Sequence, residues 1–327
     1  MDVKIELKKR ADFFNEQLEK FLKNGSPEKL YDAARHLPLA GGKRLRPCMA
    51  MISCESVKGD VLNTIPLTIA LELIHNFTLV HDDIMDKSKL RRGNPSVHIK
   101  YGEPTAIMAG DLLFAKAFES MHKITYDLKI FKNVEFGLID CIREICEGQQ
   151  LDMEFEERHN VTEDQYLEMI RKKTAVFFQY AAEAGAILGG GSREQANALN
   201  QYGLLLGLGF QIWDDYLDLT SDEETLGKDI GNDIRNGKKT LIAVHSMSNA
   251  NSEDKQIFEK IFGNKDATDE DINKIYDIFK KTGSIEYAKR TALKYVDDAK
   301  KSIQILPDTE SKQLLMNIAD YAIERKK

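Results

Sequence analysis

Apolar residues recur at three- and four-residue intervals along almost the whole 327-residue chain, and no run of alternating Val, Ile and Thr suggests a strand. Gly, Pro or Asn interrupts the pattern roughly every 20 residues, the spacing of medium-length helices. The pattern predicts helices over about Val3–Lys23, Gly42–Val57, Thr64–Asp86, Ala106–His122, Lys132–Phe155, Thr162–Gly189, Arg193–Leu219, Lys239–Ser246, Glu253–Phe262, Thr268–Lys281, Gly283–Ile305 and Thr309–Arg325. Between them, Lys87–Pro104 and Ser221–Lys238 are predicted loops, rich in Gly and charge. Neither a low-complexity tract nor a Ser/Gly- or Pro-rich linker divides the chain, so the expectation is one all-α domain over residues 1–327.

Two of these helices, Ile65–Val80 and Ala198–Trp213, are apolar on most faces and so belong in the middle of a bundle. Each runs into the same acidic pattern, Asp82-Asp83-Ile84-Met85-Asp86 and Asp214-Asp215-Tyr216-Leu217-Asp218, 132 residues apart. The outer aspartates of each pattern are four apart and share a helical face. Like charges at that spacing repel, and negative charge at a helix carboxyl end opposes the dipole. One such cluster reads as a solvated helix end or a salt-bridge patch. Two, each following a core helix with few basic residues one turn upstream, imply a bound cation at the rim of a central cavity. Oxygen ligands without Cys or His partners suit Mg²⁺ shared with phosphate oxygens. Asp82 and Asp86 from one helix, with Asp214 from the other, would hold metals on one diphosphate, and Asp83, Asp215 and Asp218 would support them.

Basic groups follow each cluster: Arg91-Arg92-Gly93 after the first, Lys228 and Lys238-Lys239 after the second. An isolated arginine pair is ordinarily a solvated loop, but beside an acidic claw its planar forks suit phosphate oxygens. A second anion site is expected where Gly41-Gly42-Lys43-Arg44-Leu45-Arg46-Pro47 opens a helix, bringing backbone amides, a helix amino end and three cations together. The spacing is not GxxxxGK[ST], so this is not a nucleotide phosphate loop. Two cationic sites and a metal site imply two phosphorylated substrates. His75 lies seven residues before Asp82, close to the same face; a lone core histidine is ordinarily structural. Gly148-Gln149-Gln150-Leu151-Asp152, Arg171-Lys172-Lys173-Thr174 and Gln211 put polar groups into partly apolar helices. Each is ordinary alone; together they would line a cavity with a polar roof and an apolar floor.

Composition narrows the alternatives. A formal charge of −7 argues against general nucleic-acid binding. No apolar run reaches the length of a bilayer span, and Met1–Arg10 lacks the apolar core of a secretory signal, so no stable membrane insertion and a cytoplasmic location are expected. Cys48, Cys54, Cys141 and Cys146 lack zinc spacing and are expected to be buried free thiols.

Taken together, the two DDxxD clusters, GGKRLRP, RRG, GQxLD, KT and FQIWDDYLD resemble the short-chain trans-isoprenyl diphosphate synthases of the polyprenyl synthetase family, over about Gly41–Thr240. The resemblance implies a bundle of about a dozen helices around a deep cavity, working as a homodimer with Mg²⁺, three ions per site with substrate bound. It assigns Asp82, Asp86 and Asp214 as metal ligands, with Asp83, Asp152, Asp215 and Asp218 supporting. Arg91, Lys173, Lys228 and Lys238 would grip an allylic diphosphate, and Lys43, Arg46, His75 and Arg92 isopentenyl diphosphate. Thr174 and Gln211 would face a developing allylic cation.

The implied reaction is ionisation, condensation and elimination, the last proton leaving to the departed diphosphate because no His or Glu stands out as a base. Chain length should depend on what blocks the growing tail. Thr78, four residues before Asp82, lies almost beneath it and is small, whereas Phe77 points about 140° away. A stopping role for Phe77 therefore rests on resemblance to archaeal-type geranylgeranyl diphosphate synthases, which implies mainly a C20 product with C15 as a second. The rivals are a terpene cyclase or head-to-head condensing enzyme of the same fold, a longer-chain synthase, a non-catalytic helical subunit and an acidic scaffold. A cyclase would not need GGKRLRP, and a silent subunit would be expected to have lost one claw.

Overall fold

The apolar Ile65–Val80 stretch, which demands burial on most sides, lies within α4 (Ile65–Met85), and the first part of the molecule is built around that helix. The computed structural model describes residues 2–158, 160–220 and 231–324; Lys228 and most of the loop predicted over Ser221–Lys238 fall outside these. The described residues are almost wholly helical and divide into two compact units, Met1–Ile139 with Tyr180–Leu199 and Ile305–Leu315, and Asp140–Gln179 with Asn200–Gln304 and Met316–Lys327.

In the first unit α4 lies along α6 (Glu103–Met121), with α1 (Val3–Phe21), α2 (Glu28–Leu39) and α3 (Leu45–Ser56) also packed on it. Phe14 and Leu18 of α1, Met51 and Ile52 of α3, and Leu67, Leu71, Leu73 and Ile74 of α4 are fully buried. Gly185 lets its helix, α9 (Val176–Leu188), press against α3: a Cβ there would lie 2.2 Å from the Ala50 carbonyl oxygen.

Helix α2 has no counterpart in the sequence reading, although Leu30, Ala33, Ala34 and Leu37 carry a helical spacing; Pro38, which reads as a breaker, sits inside its last turn. The predicted loop Lys87–Pro104 holds a small antiparallel pair, β1 (Leu90–Arg91) with β2 (Asn94–Pro95), then α5 (Val97–Tyr101) and the start of α6, where Pro104 occupies the first turn.

The second unit takes the later parts of α7 (Leu128–Glu157) and α10 (Arg193–Thr220), with α8 (Glu163–Ile170), α11 (Asn232–Arg235), α12 (Leu241–Asn249), α13 (Ser252–Ile261), α14 (Asp269–Lys281) and α15 (Ser284–Ser302). The last long helix, α16 (Glu310–Glu324), is shared between the units. Thr162, Thr240, Asn251 and Thr268 each cap the next helix through a side-chain oxygen that accepts a backbone N–H. Tyr166, Ile212, Leu241, Ile275 and Ala288 anchor the core. The segment Thr162–Gly189, predicted as one helix, is interrupted by a wider π turn at Arg171–Ala175. Short α11 occupies part of the other predicted loop.

No helix among the described residues is long and apolar enough to cross a membrane. Three cysteines are buried free thiols as expected, but Cys146 is exposed: it lies on the outer side of α7, so a helical context alone did not fix its burial.

Candidate active site

The first acidic cluster ends α4 through a tight reversal. Lys87 adopts a left-handed conformation (φ 52°), the Ser88 N–H donates to the Asp83 carbonyl (2.9 Å) and the Lys87 N–H to that of Ile84 (3.2 Å). These two bonds form a Schellman-type stop, with Lys where Gly is usual. The chain then turns back through Arg92 and Gly93, both at positive φ (53° and 74°), the pairing a two-residue hairpin requires. That hairpin returns Arg91 to the helix it has just left. Its Nε and Nη2 donate to Asp83 Oδ1 at 2.9 and 2.5 Å.

Asp83 has no exposed surface, whereas Asp82 is half-buried and Asp86 exposed. The middle carboxylate of this cluster is therefore spent on an internal ion pair, while the outer two share a face open to solvent.

The GGKRLRP segment bounds a cavity of about 510 Å³, lined by Lys43, Arg46, His75 and Arg92 together with Arg44 and Glu72. Gly42 has φ 139°, and a Cβ there would lie 2.9 Å from the Arg92 guanidinium, so only glycine allows that arginine its place. Arg92 also donates to the Gly41 carbonyl. Burial holds its pKa below the usual arginine range. Arg46 Nη1 lies 3.3 Å from His75 Nε2. Burial first, then the surrounding guanidiniums of Arg46, Arg92, Arg91 and Arg44, push the His75 pKa well down, so its imidazole is neutral.

Of the three cations expected here, Arg44 is a correction. It sits in a left-handed conformation (φ 49°) before α3 and points inward, donating to Glu72 Oε1 (2.5 Å), the Pro38 carbonyl (2.5 Å) and Asn15 Oδ1 (2.9 Å). Glu72 also accepts from Asn76 (2.8 Å). This buried pair lies at the cavity wall with its charges engaged internally, and it shapes the loop. A lone Glu in an apolar helix was the signal for it, since a buried charge needs a partner.

The second cluster, at the end of α10, repeats the division of labour. Asp215 is 4% exposed and accepts hydrogen bonds from Tyr166 (2.8 Å) and Gln211 (3.2 Å), with the Lys238 ammonium 3.4 Å away. Asp214 and Asp218 are half-buried. Burial pushes the Asp215 carboxyl up and these three partners pull it back, while Asp215 above all raises the Lys238 pKa, keeping Lys238 an ammonium. Gln211 Oε1 in turn accepts from the Thr174 hydroxyl (2.9 Å).

Thr174 and Lys173 lie on the π turn, and Lys173 donates to Asp152. Gly148 makes that contact available: a Cβ there would lie 2.3 Å from the Lys173 backbone nitrogen, so glycine lets α7 press against the turn, and Asp152 follows one turn later. Tyr166, which the sequence reading missed, is fully buried on α8 and reads from sequence as an ordinary core aromatic.

Phe77 packs edge-on against Phe114 of α6 (5.4 Å between ring centres) and His81 (4.8 Å), and Phe114 in turn meets Phe118 (5.3 Å). The Thr78 hydroxyl is occupied with the His75 carbonyl (2.8 Å). Among the described residues no three His, Cys, Asp or Glu side chains form a ready-made metal cage. The donors present are hard carboxylate oxygens, which fit Mg²⁺ completed by water and ligand oxygens.

Two outcomes follow from this geometry. Tyr166→Phe takes a donor from a buried carboxylate and should destabilise the chain by about 1–3 kcal/mol in urea denaturation; stability within about 0.5 kcal/mol of the parent would contradict the assigned bond. For His75, the unfolded imidazole protonates near 6.5 and the folded one only well below that. Its contribution is therefore complete above the unfolded value and is lost as pH falls toward the folded one. His75→Gln should flatten the fall of melting temperature between about pH 7 and about pH 5; an unchanged slope would show that the site does not hold His75 neutral.

Comparison with known proteins finds relatives over nearly the whole chain. The family model described as Polyprenyl synthetase matches residues 27–279. A geranylgeranyl diphosphate synthase of Methanosarcina mazei is 44% identical over 321 residues, covering 98% of this chain and 97% of its own. The crystal structure of geranylgeranyl pyrophosphate synthetase from Pyrococcus horikoshii Ot3 superposes with a TM-score of 0.94 at 43% identity, covering 99% of this chain and 98% of its own. A Caulobacter crescentus CB15 polyprenyl synthase, solved with calcium and isoprenyl diphosphate, gives 0.87 at 33% identity over 99% of this chain and 98% of its own. With its paired aspartate clusters intact and a relative this similar over nearly its full length, the chain belongs to the polyprenyl synthetase family.

Proposed function

We propose that the chain is a trans-prenyltransferase that condenses isopentenyl diphosphate head to tail (1′-4) with allylic diphosphates, releasing mainly geranylgeranyl diphosphate and, as a second product, farnesyl diphosphate. Family membership and the activity named for its relatives carry the reaction class. Within the chain, the support that weighs most is the cavity where Lys43, Arg46 and Arg92 meet a neutral imidazole. A pocket so dense in cations suits a substrate diphosphate held apart from the metal.

Divalent-metal dependence is general in the family. Asp82, Asp86 and Asp214 are the proposed Mg²⁺ ligands, three ions per site with substrate bound. Magnesium, when bound, would supply Lewis-acid neutralisation of the charge that gathers on the allylic diphosphate as it leaves. Asp83 and Asp215 support the site by aiming Arg91 and Lys238 at that same diphosphate, Asp152 by aiming Lys173, and Asp218 lies alongside. Lys228 joins this grip in the proposal.

Lys43, Arg46, His75 and Arg92 would orient isopentenyl diphosphate so that its double bond meets the allylic carbon, and that positioning supplies much of the rate. Thr174 and Gln211 present oxygen dipoles fixed by their mutual hydrogen bond, arranged in advance for a cation. The departing diphosphate takes the proton lost in the elimination.

Phe77, backed by Phe114 and Phe118, is the proposed stop for the growing chain, and Thr78 leaves the level above it open. The chain is proposed to work as a single catalytic domain, in a homodimer, in the cytoplasm. The exposed apolar side chains Leu90, Ile99, Ile107 and Met108 in the first unit support a partner surface.

The reading is tested by supplying purified protein with Mg²⁺, isopentenyl diphosphate and each C5 to C15 allylic starter, then measuring product length. C20 should dominate and both substrates should be required; cyclised product from the allylic substrate alone would overturn it. Asp82→Ala and Asp214→Ala should each lower turnover by orders of magnitude while retaining helical circular dichroism. Phe77→Ala should lengthen the products, and an unchanged distribution would remove Phe77 from that role.

A further inference from the structure

The second unit holds another cavity, of about 450 Å³, bounded by residues 160–163, α12 and α13. Its walls are mixed: Val161, Val244, Met247, Phe258 and Phe262 supply an apolar stretch, and polar and charged side chains supply the rest. Two half-buried lysines, Lys239 and Lys255, face it, and none of the residues assigned to the reaction does. A volume of this size falls within the range of small-molecule sites.

Lys239 is the informative group. Its ammonium donates to the Gly237 carbonyl (2.8 Å), a neutral oxygen, and lies 5.1 Å from the centre of the Phe262 ring. Burial lowers its pKa, with only Glu156 acting against that shift. A cation stripped of part of its water and held by a carbonyl and a ring face gains by meeting an anion. Of the two acids at the cavity, Glu163 is engaged by the Tyr287 hydroxyl (2.6 Å) and Glu259 is exposed to water, so both can coexist with an anionic head placed at Lys239.

The cavity is also connected to the Asp215 site. Lys238, which pairs with Asp215, is the residue immediately before Lys239, and Phe262 lines both this cavity and the small recess around Asp215 and Lys238.

We infer that this cavity binds a long-chain anionic amphiphile, its head group on Lys239 with Lys255 and its chain along Val244, Met247, Phe258 and Phe262. A prenyl diphosphate of the kind the enzyme is proposed to release has this chemistry, as does an alkyl phosphate. Occupancy shifts Lys239 and Phe262, and through them Lys238, so it alters the affinity for allylic diphosphate. The first part is independent of the proposed reaction; the second rests on it.

The test is calorimetric titration of the full chain, in EDTA to remove the metal-dependent mode, with dodecyl phosphate, geranylgeranyl diphosphate, inorganic diphosphate and neutral dodecyl maltoside. The two anionic amphiphiles should bind at a site that the other two do not fill. Lys239→Ala and cavity-filling Met247→Trp should each weaken that binding at least about tenfold. Lys255→Glu, at a half-exposed position, guards against misfolding of the Trp variant: it should weaken binding similarly while its chain-elongation turnover stays at the parent value.

Stronger binding of geranylgeranyl diphosphate than of dodecyl phosphate would identify the enzyme's own product as the ligand, and equal binding a general alkyl anion; both support the site. Parent-like affinity in all three variants would overturn it. Dodecyl phosphate should raise the KM for the allylic substrate in the parent and much less in Lys255→Glu, and equal effects in both would remove the link to Lys238. A chain that binds these amphiphiles but fails to elongate would sink the proposed reaction and leave the site standing.

Discussion

A carboxylate taken out of water must be answered by a cation or by donated hydrogen bonds, and this requirement organises both acidic clusters. In each unit the second aspartate of the cluster is the buried one. Asp83 is answered by Arg91, and Asp215 by Lys238, Tyr166 and Gln211. Both basic partners come from the segment that follows the helix, so each ion pair closes that segment back onto the helix end. The charge pattern thus does two kinds of work. Buried carboxylates hold the cations in place, while Asp82, Asp86 and Asp214 are each more accessible than the buried aspartate beside them.

The same economy recurs around the cationic pocket. Arg44 could serve as a third surface charge, yet its pairing with Glu72, Asn15 and the Pro38 carbonyl turns it into the post on which the GGKRLRP loop is hung. Removing either member of that pair would strand the other charge in the interior, at a cost of about 3–5 kcal/mol. Lys43, Arg46 and Arg92 line the pocket, and burial, followed by the guanidiniums of Arg46, Arg92, Arg91 and Arg44, keeps His75 neutral. Glycines enter at the points of closest approach: Gly42 beneath Arg92, and Gly148 beneath the π turn that carries Lys173 and Thr174.

Much of this was legible in the sequence because it rests on periodicity and on charge clusters next to it. The apolar character of Ile65–Val80 gave α4, and two aspartates four apart gave a shared face. The features that escaped depend on contacts between residues distant along the chain. Nothing local tells Arg44 from Arg46, which differ by two positions; only the position of Glu72 on α4 turns one inward. Tyr166 looks like any core aromatic until Asp215 is placed 2.8 Å from its hydroxyl. Helix α2 was concealed by Pro38, which removes one intrahelical N–H donor from the last turn, just before the chain reverses at Gly41 and Gly42. Cys146 was assigned to the interior from its helix, yet α7 keeps one face in water.

In the proposed division of roles the buried aspartates anchor cations, and metal binding falls to their more accessible neighbours. The most direct measurement compares Asp83→Asn with Asp82→Asn, following both the Mg²⁺ concentration for half-maximal turnover and the KM for allylic diphosphate. Asp83→Asn should raise that KM while leaving the Mg²⁺ requirement near the parent's, and Asp82→Asn should raise the Mg²⁺ requirement. Equal increases in the Mg²⁺ requirement for the two variants would contradict the division of roles.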